Sequence, residues 1–131
     1  MTAATWTADE LDRVGAAEEL EIAPRRRDGA RLRSVQIWVV RAGEGRYVRS
    51  WRGSQAAWFC ATQRQRSGHV SADGLETDVA FADAGPEVCD AVDAAYREKH
   101  ARYPSYVPPM LSDQARAATL KLVPADIEDG A

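Results

Sequence analysis

The chain has 131 residues and a mass of 14.4 kDa, the size of one domain that buries roughly two-thirds of its unfolded surface. Its 45% hydrophobic content is that of an ordinary globular protein, and its longest apolar run, Ala56 to Ala61, falls far short of the ~20 residues a membrane-spanning helix needs. A net charge of −3 and a pI ≈ 5.4 weigh against general affinity for nucleic acid.

That modest total hides a strong segregation. The first 24 residues hold one base and six acids. Arg25 to Arg66 holds eleven arginines against Asp28 and Glu44, and the remainder holds five bases and twelve acids. Arginine suits planar, bidentate contact with phosphate or carboxylate, and it stacks on flat rings. A basic middle between acidic flanks therefore points to an anionic ligand. Met1 to Ala17 has three acids and no extended apolar core, so it does not read as a secretory signal. Cys60 and Cys89 make no CxxC pair and read as reduced cytoplasmic thiols. With only His69 and His100, widely spaced, no protein-only metal site is expected.

In chain order, Trp6-Thr7-Ala8-Asp9-Glu10-Leu11 carries a capping box and a hydrophobic staple, and predicts a short helix ending near Gly15. Leu20 to Ala23 reads as a strand, followed by the polar stretch Pro24 to Arg33. Val35, Ile37 and Val39 alternate with Gln36, Trp38 and Val40, which predicts a half- to fully-buried strand. A turn at Ala42-Gly43-Glu44-Gly45 then leads into a return strand, Arg46 to Trp51, with Tyr47, Arg49 and Trp51 on one face. After Gly53, Ser54 is placed to cap a helix of about ten residues bearing Trp58. Asp73-Gly74 joins two strands, Val70 to Ala72 and Leu75 to Phe81, as a hairpin.

Gly85-Pro86-Glu87 opens the main helix, whose buried face runs through Val88, Val92, Ala95 or Tyr96, and Lys99 and which ends before Pro104. Tyr103 to Pro109 is an aromatic, proline-stiffened loop. Asp113 to Ala118 reads as a helical turn and Thr119 to Val123 as a closing strand, with an acidic tail from Asp126. Mostly antiparallel strands with helices at the start, middle and end close best as a small barrel or a sheet with helices packed on it.

The segment Arg49-Ser50-Trp51-Arg52-Gly53-Ser54 joins a strand to a helix. Hydroxyls, a glycine that lets the backbone approach and a following helix start favour an anion, which Arg49 and Arg52 would clamp. The same pattern also fits a tight turn with solvated arginines. Trp38, Trp51 and Trp58 fit either core or interface packing or a stack on a flat heteroaromatic ring. Arg25, Arg26, Arg27, Arg31 and Arg33 read as a solvated loop able to fold over an anionic tail. Tyr96, Lys99, His100, Tyr103 and Tyr106 form a late polar-aromatic cluster in which His100 suits a helix end. No Ser/His/Asp set, Walker loop or spaced carboxylate pair appears, which argues against a hydrolase.

RSWRGSQAAWF resembles the strand-turn-helix of small flavin- and deazaflavin-binding split-barrel proteins. From about Trp6 to Pro124 the chain resembles a family of uncharacterised small bacterial proteins of that superfamily, related to deazaflavin-dependent nitroreductases. The stretches that carry the likeness include VQIWVVRAGEGRYVRS, HVSADGLETDVAF and ARAATLKLVP. The resemblance implies an α+β, mainly β protein. Its fold would be a six-stranded antiparallel split β-barrel of the flavin-reductase and pyridoxamine-phosphate-oxidase type, dimeric, with a flavin-type cofactor in a groove. It spans one domain, 1–131, with an ordered core of about 5–124.

Carried over, the resemblance places Ser50 and Gly53 at the cofactor phosphate with Arg49 or Arg52 as the cation, and Trp58 behind the turn. Trp51 or Trp38 would lie near the ring, with Arg33 also on the cofactor side. The glycine-lysine-serine-glycine type loop of the deazaflavin nitroreductases is replaced by Ala42-Gly43-Glu44-Gly45. The leading expectation is a cytoplasmic FMN- or 5-deazaflavin-dependent reductase of a small aromatic or conjugated metabolite, with Tyr103 and Tyr106 on the substrate. One alternative is a cofactor-free binder of an anionic aromatic metabolite. The other is a single-stranded nucleic-acid binder, in which Trp38, Tyr47 and Trp51 stack bases between arginines.

Overall fold

A computed structural model of the chain describes residues 19–24, 33–43, 45–72 and 74–124. The helix start at Trp6 to Leu11, the arginines from Arg25 to Arg31 and the acidic tail from Asp126 lie outside the described residues.

Six antiparallel strands close into a barrel: β1 Glu19–Pro24, β2 Val35–Ala42, β3 Gly45–Arg49, β4 Ser67–Ala72, β5 Leu75–Asp83 and β6 Thr119–Pro124. Around the barrel the order is β1-β2-β3-β6-β5-β4, with β4 returning to pair with β1. Period-two alternation sends one face of each strand inward. Leu20, Ile22, Val39, Val48, Val70, Val79, Leu120 and Leu122 fill the interior and are all buried, with Phe59 and Ala118 packed among them. Gly68 lies where β4 passes tightly between neighbours. A Cβ there would stand 2.8 Å from the Ala23 carbonyl oxygen and 2.9 Å from Phe81 Cζ. The β4–β5 hairpin turns through Gly74 at φ +79°, a left-handed conformation that favours glycine.

Among the described residues four α-helices decorate this barrel: α1 Ala57–Arg64, α2 Cys89–Lys99, α3 Val107–Met110 and α4 Asp113–Ala117. α2 packs across the outer face of β2 and β3, where Val92 and Tyr96 join Val40, Tyr47 and Met110 in a second buried cluster. β3 is therefore covered on both sides, and all five of its residues are buried.

Several details differ from the sequence expectations: the return strand ends at Arg49 and not at Trp51, and the main helix proper starts at Cys89 after a 3-10 turn over Pro86–Val88. Ser54 falls in a 3-10 turn, Gly53–Gln55, and α1 starts only at Ala57, with Ala56 as an N-cap that has no side-chain hydrogen bond. The reversal at Gly53 (φ +75°) uses up the residues that would have begun the helix. The proline-rich loop is not all irregular: Pro108 and Pro109 occupy the first turn of α3, where a missing N–H donor costs little.

The strand that matters most for the site is β2. Its first half pairs with β1 (Glu19 opposite Trp38 through Ile22 opposite Val35), and its second half pairs with β3 (Val39 opposite Val48 through Ala42 opposite Gly45). Among the described residues, no strand covers the β3-side edge from Val35 to Trp38. The barrel is split there.

Candidate functional site

A groove of about 760 Å³ occupies the split, within the size range of small-molecule sites. Its wall is the uncovered β2 edge from Val35 to Trp38, and α1 contributes Ala57 and Trp58. The segment Arg49 to Arg52 forms one end. Tyr106, Pro109 and Met110 close over it from α3 and the residue before it.

Ser50 is where the strand ends. Its amide donates to the Ala118 carbonyl (3.2 Å) and its carbonyl accepts from Gly53 N–H (2.9 Å), so the backbone is fixed on both sides. The hydroxyl is not satisfied: Ser50 is 2% exposed, and its Oγ has no hydrogen-bond partner among the described residues. A buried polar atom left this way costs about 1–3 kcal/mol. A ligand that accepted a hydrogen bond from Oγ would recover that energy.

Next to it, Trp51 is 53% exposed and carries the Arg52 guanidinium over its ring at 5.1 Å. Arg52 is itself exposed, a cation at the groove mouth. The Trp51 carbonyl is held by Gln114 Nε2 at 3.1 Å.

Arg49 has a different role from the expected clamp. It is 1% exposed, and its guanidinium donates to the Asp93 carboxylate (2.5 Å), the carbonyls of Met110 (2.9 Å) and Cys89 (3.2 Å), and Thr119 Oγ1 (2.8 Å). These contacts tie β3 to β6, α2 and α3. Only its surface borders the groove; its hydrogen-bonding capacity is committed to the fold. Gly53 and Arg33 likewise do not line the groove. Gly53 abuts α4, where an added Cβ would stand 3.1 Å from Gln114 Cβ, and Arg33 is exposed just before β2.

Trp38 forms part of the wall and is backed by α2. Its indole stacks on the His100 imidazole with centroids 3.9 Å apart and planes 6° from parallel, and Tyr103 tilts against it at 5.6 Å. His100 is fully buried, and burial, reinforced by the adjacent Lys99 ammonium, pushes its pKa down to about 4. The ring is therefore neutral at pH 7 and suited to lie flat against an indole. Burial also lowers Lys99 to about 8, while its Nζ donates to the Val39 carbonyl at 2.6 Å.

The structure thus brings Ser50, Trp51, Arg52, Trp38, Trp58 and Tyr106 to one groove. Tyr103 stands behind Trp38 and does not line it. Sequence reasoning missed Asp93 and Thr119 as the partners of Arg49, and Glu19 as a groove residue. Each joins the site through register or packing between segments far apart in the chain. Among the described residues there is no cluster of three His, Cys, Asp or Glu that could hold a metal ion, neither cysteine is in a disulfide, and no helix is long and apolar enough to cross a membrane.

Residues 10–122 match the family described as uncharacterized protein conserved in bacteria (DUF2255). The comparison with curated proteins gave no match. Several solved structures share the fold at low identity. A conserved hypothetical protein, Rv2991, from Mycobacterium tuberculosis is 12% identical, with a TM-score of 0.66 over 93% of this chain and 82% of that one. HutZ, described as the heme storage protein from Vibrio cholerae, is 11% identical, with a TM-score of 0.59 over 82% of each chain. An FAD-binding protein from Mesorhizobium loti is 15% identical, with a TM-score of 0.50 over 94% of this chain and 93% of that one. What these structures share with the chain is the fold, a closed six-stranded antiparallel β-barrel.

Proposed function

The chain belongs to this family of uncharacterized bacterial proteins (DUF2255), and from its groove we propose that it binds a flavin-type cofactor, FMN or a 5-deazaflavin, and acts as a reductase on a small aromatic or conjugated metabolite. The observation that carries the reading is the buried Ser50 hydroxyl, without a hydrogen-bond partner among the described residues, in the same tryptophan-walled groove as the exposed Arg52. That donor set fits an anionic group joined to a flat ring. Ser50 Oγ donates to the anion and Arg52 adds a charge-assisted contact. Trp38, backed by His100, and Trp58 offer the apolar faces that orient a ring.

A bound flavin or deazaflavin supplies the hydride chemistry. The protein's own part is binding, orientation and exclusion of water. Arg49 holds the strand end in place through Asp93, so that Ser50 is presented at a fixed point. Tyr106, 67% exposed on the rim, is the side chain best placed to meet a substrate entering the groove. The same reading takes the protein as a single cytoplasmic domain that forms a homodimer; exposed Trp51 and Tyr106 are the kind of side chain enriched at interfaces.

The test is titration of the purified protein with FMN and, separately, with the 5-deazaflavin coenzyme, followed by quenching of tryptophan fluorescence. Saturable binding at micromolar concentration is expected for one of them. Absence of binding for both would return the groove to a cofactor-free pocket for an anionic aromatic metabolite.

A further inference from the structure

Among the described residues the groove carries three charged ones, Glu19, Arg49 and Arg52. Arg49 is neutralised by Asp93 at 2.5 Å. Arg52 stands at the Ser50 end. Among the described residues Glu19 is left as the one acid of the lining, and neither proposed cofactor's phosphate accounts for it.

Its position follows from register. Glu19 on β1 is the direct antiparallel partner of Trp38 on β2, and directly paired residues present their side chains on the same face of a sheet. Leu20 and Ile22 are 1% and 0% exposed in the barrel interior, so Glu19 belongs to the outer row with Trp38. β3 flanks β2 on the other side and ends at Arg49, one residue past the Val39–Val48 pair. Three neighbouring strands at ~4.8 Å spacing put Glu19 on the order of 10 Å from the Arg49–Ser50 strand end, with the Trp38 indole between them. The Glu19 side chain is exposed, and it makes no hydrogen bond or ion pair to another described residue. Among the described residues it is an acceptor without a donor.

We infer that Glu19 is a specificity-determining residue of the groove: it accepts a hydrogen bond from an N–H on the edge of the bound ring remote from the ligand's anionic group, and so selects imide-edged rings over rings that carry a carboxylate or an alkyl group there. The inference rests on the flavin-type reading above. FMN and 5-deazaflavins both present such an imide N–H. A ring with a carboxylate at that edge meets like charge instead, which costs affinity.

The experiment compares FMN with N3-methyl-FMN, which lacks the imide hydrogen, on the wild-type protein and on Glu19→Ala and Glu19→Gln, using tryptophan quenching for affinity. Wild type should prefer FMN by about tenfold or more, the scale of a hydrogen bond to a charged acceptor. Glu19→Ala should bring the ratio close to one. Glu19→Gln, which keeps an uncharged acceptor, should fall between. Melting temperatures should stay unchanged, because Glu19 is exposed. A ratio near one in wild type, or an undiminished ratio in Glu19→Ala, overturns the role of Glu19 while leaving flavin binding intact. Binding of neither ligand to any of the three proteins removes FMN from the flavin reading and overturns this inference; the flavin reading as a whole falls only if the 5-deazaflavin coenzyme also fails to bind.

Discussion

Arg49 and Asp93 form a buried ion pair at 2.5 Å that joins the end of β3 to the middle of α2 across the outside of the barrel. Both residues are buried, and the guanidinium's other bonds reach Thr119, Cys89 and Met110. Asp93 is also approached by Arg116 Nε at 3.6 Å. Arg49 immediately precedes Ser50, so the same contact that anchors the helix fixes the strand end that carries Ser50.

Removing Arg49 leaves the buried Asp93 carboxylate with only the longer Arg116 contact at 3.6 Å. Arg49→Met should destabilise the protein by about 3–5 kcal/mol, measured by denaturant unfolding. Arg49→Met combined with Asp93→Leu should recover a large part of that loss, since the pair replaced together leaves no buried charge. If Arg49→Met melts like wild type, the anchoring role is wrong.

Ser50→Ala separates stability from binding. The hydroxyl has no partner among the described residues, so its removal should leave stability unchanged or raise it by about 1 kcal/mol. FMN affinity should nevertheless fall about tenfold. A loss of stability with unchanged affinity would take Ser50 out of the anion site.

Arg52 is exposed, with its guanidinium over the Trp51 ring. Arg52→Ala should weaken cofactor binding by roughly 1.5–3 kcal/mol, as expected for a hydrogen bond to a charged group, and should flatten the salt dependence of the affinity. Isothermal titration at two ionic strengths reads both effects. Folding should be unaffected.

His100 gives a pH dependence of known sign. Its pKa is about 4 in the folded protein against the ordinary 6.5 of a free imidazole, so between those values the unfolded chain binds the proton and the native state does not. Stability is therefore fully present above about 6.5 and declines as the pH falls toward about 4, by ~1.4 kcal/mol per unit of separation. His100→Asn should flatten the stability profile between pH 6.5 and 4.5 relative to wild type. Because the imidazole also supports Trp38, wild-type tryptophan fluorescence should stay steady until acid unfolding begins.

The strands were legible because their pattern is local. Val35, Ile37 and Val39, then Leu120 and Leu122, show period-two spacing, and Asp73-Gly74 marks a hairpin that forms with Leu75 opposite Ala72. The strand-turn-helix from Arg49 to Trp58 could also be found from its residue types. What could not be read locally was how its two arginines divide the work. Both look alike in sequence, yet one is 1% exposed and bound to Asp93, 44 residues away, while the other lies at the groove mouth.

The sequence by itself determined the antiparallel strand set, the glycine reversal after Ser50 and the concentration of arginine and tryptophan around it, because turn chemistry and side-chain alternation depend only on neighbours in the chain. Only the tertiary structure decided which groups face the groove. Closing the barrel set the β1–β2 register that puts Glu19 beside Trp38. Docking α2 buried Asp93 against Arg49 and stacked His100 on Trp38. Those outcomes depend on contacts between distant segments and on the removal of water from charged groups, and no local pattern records either.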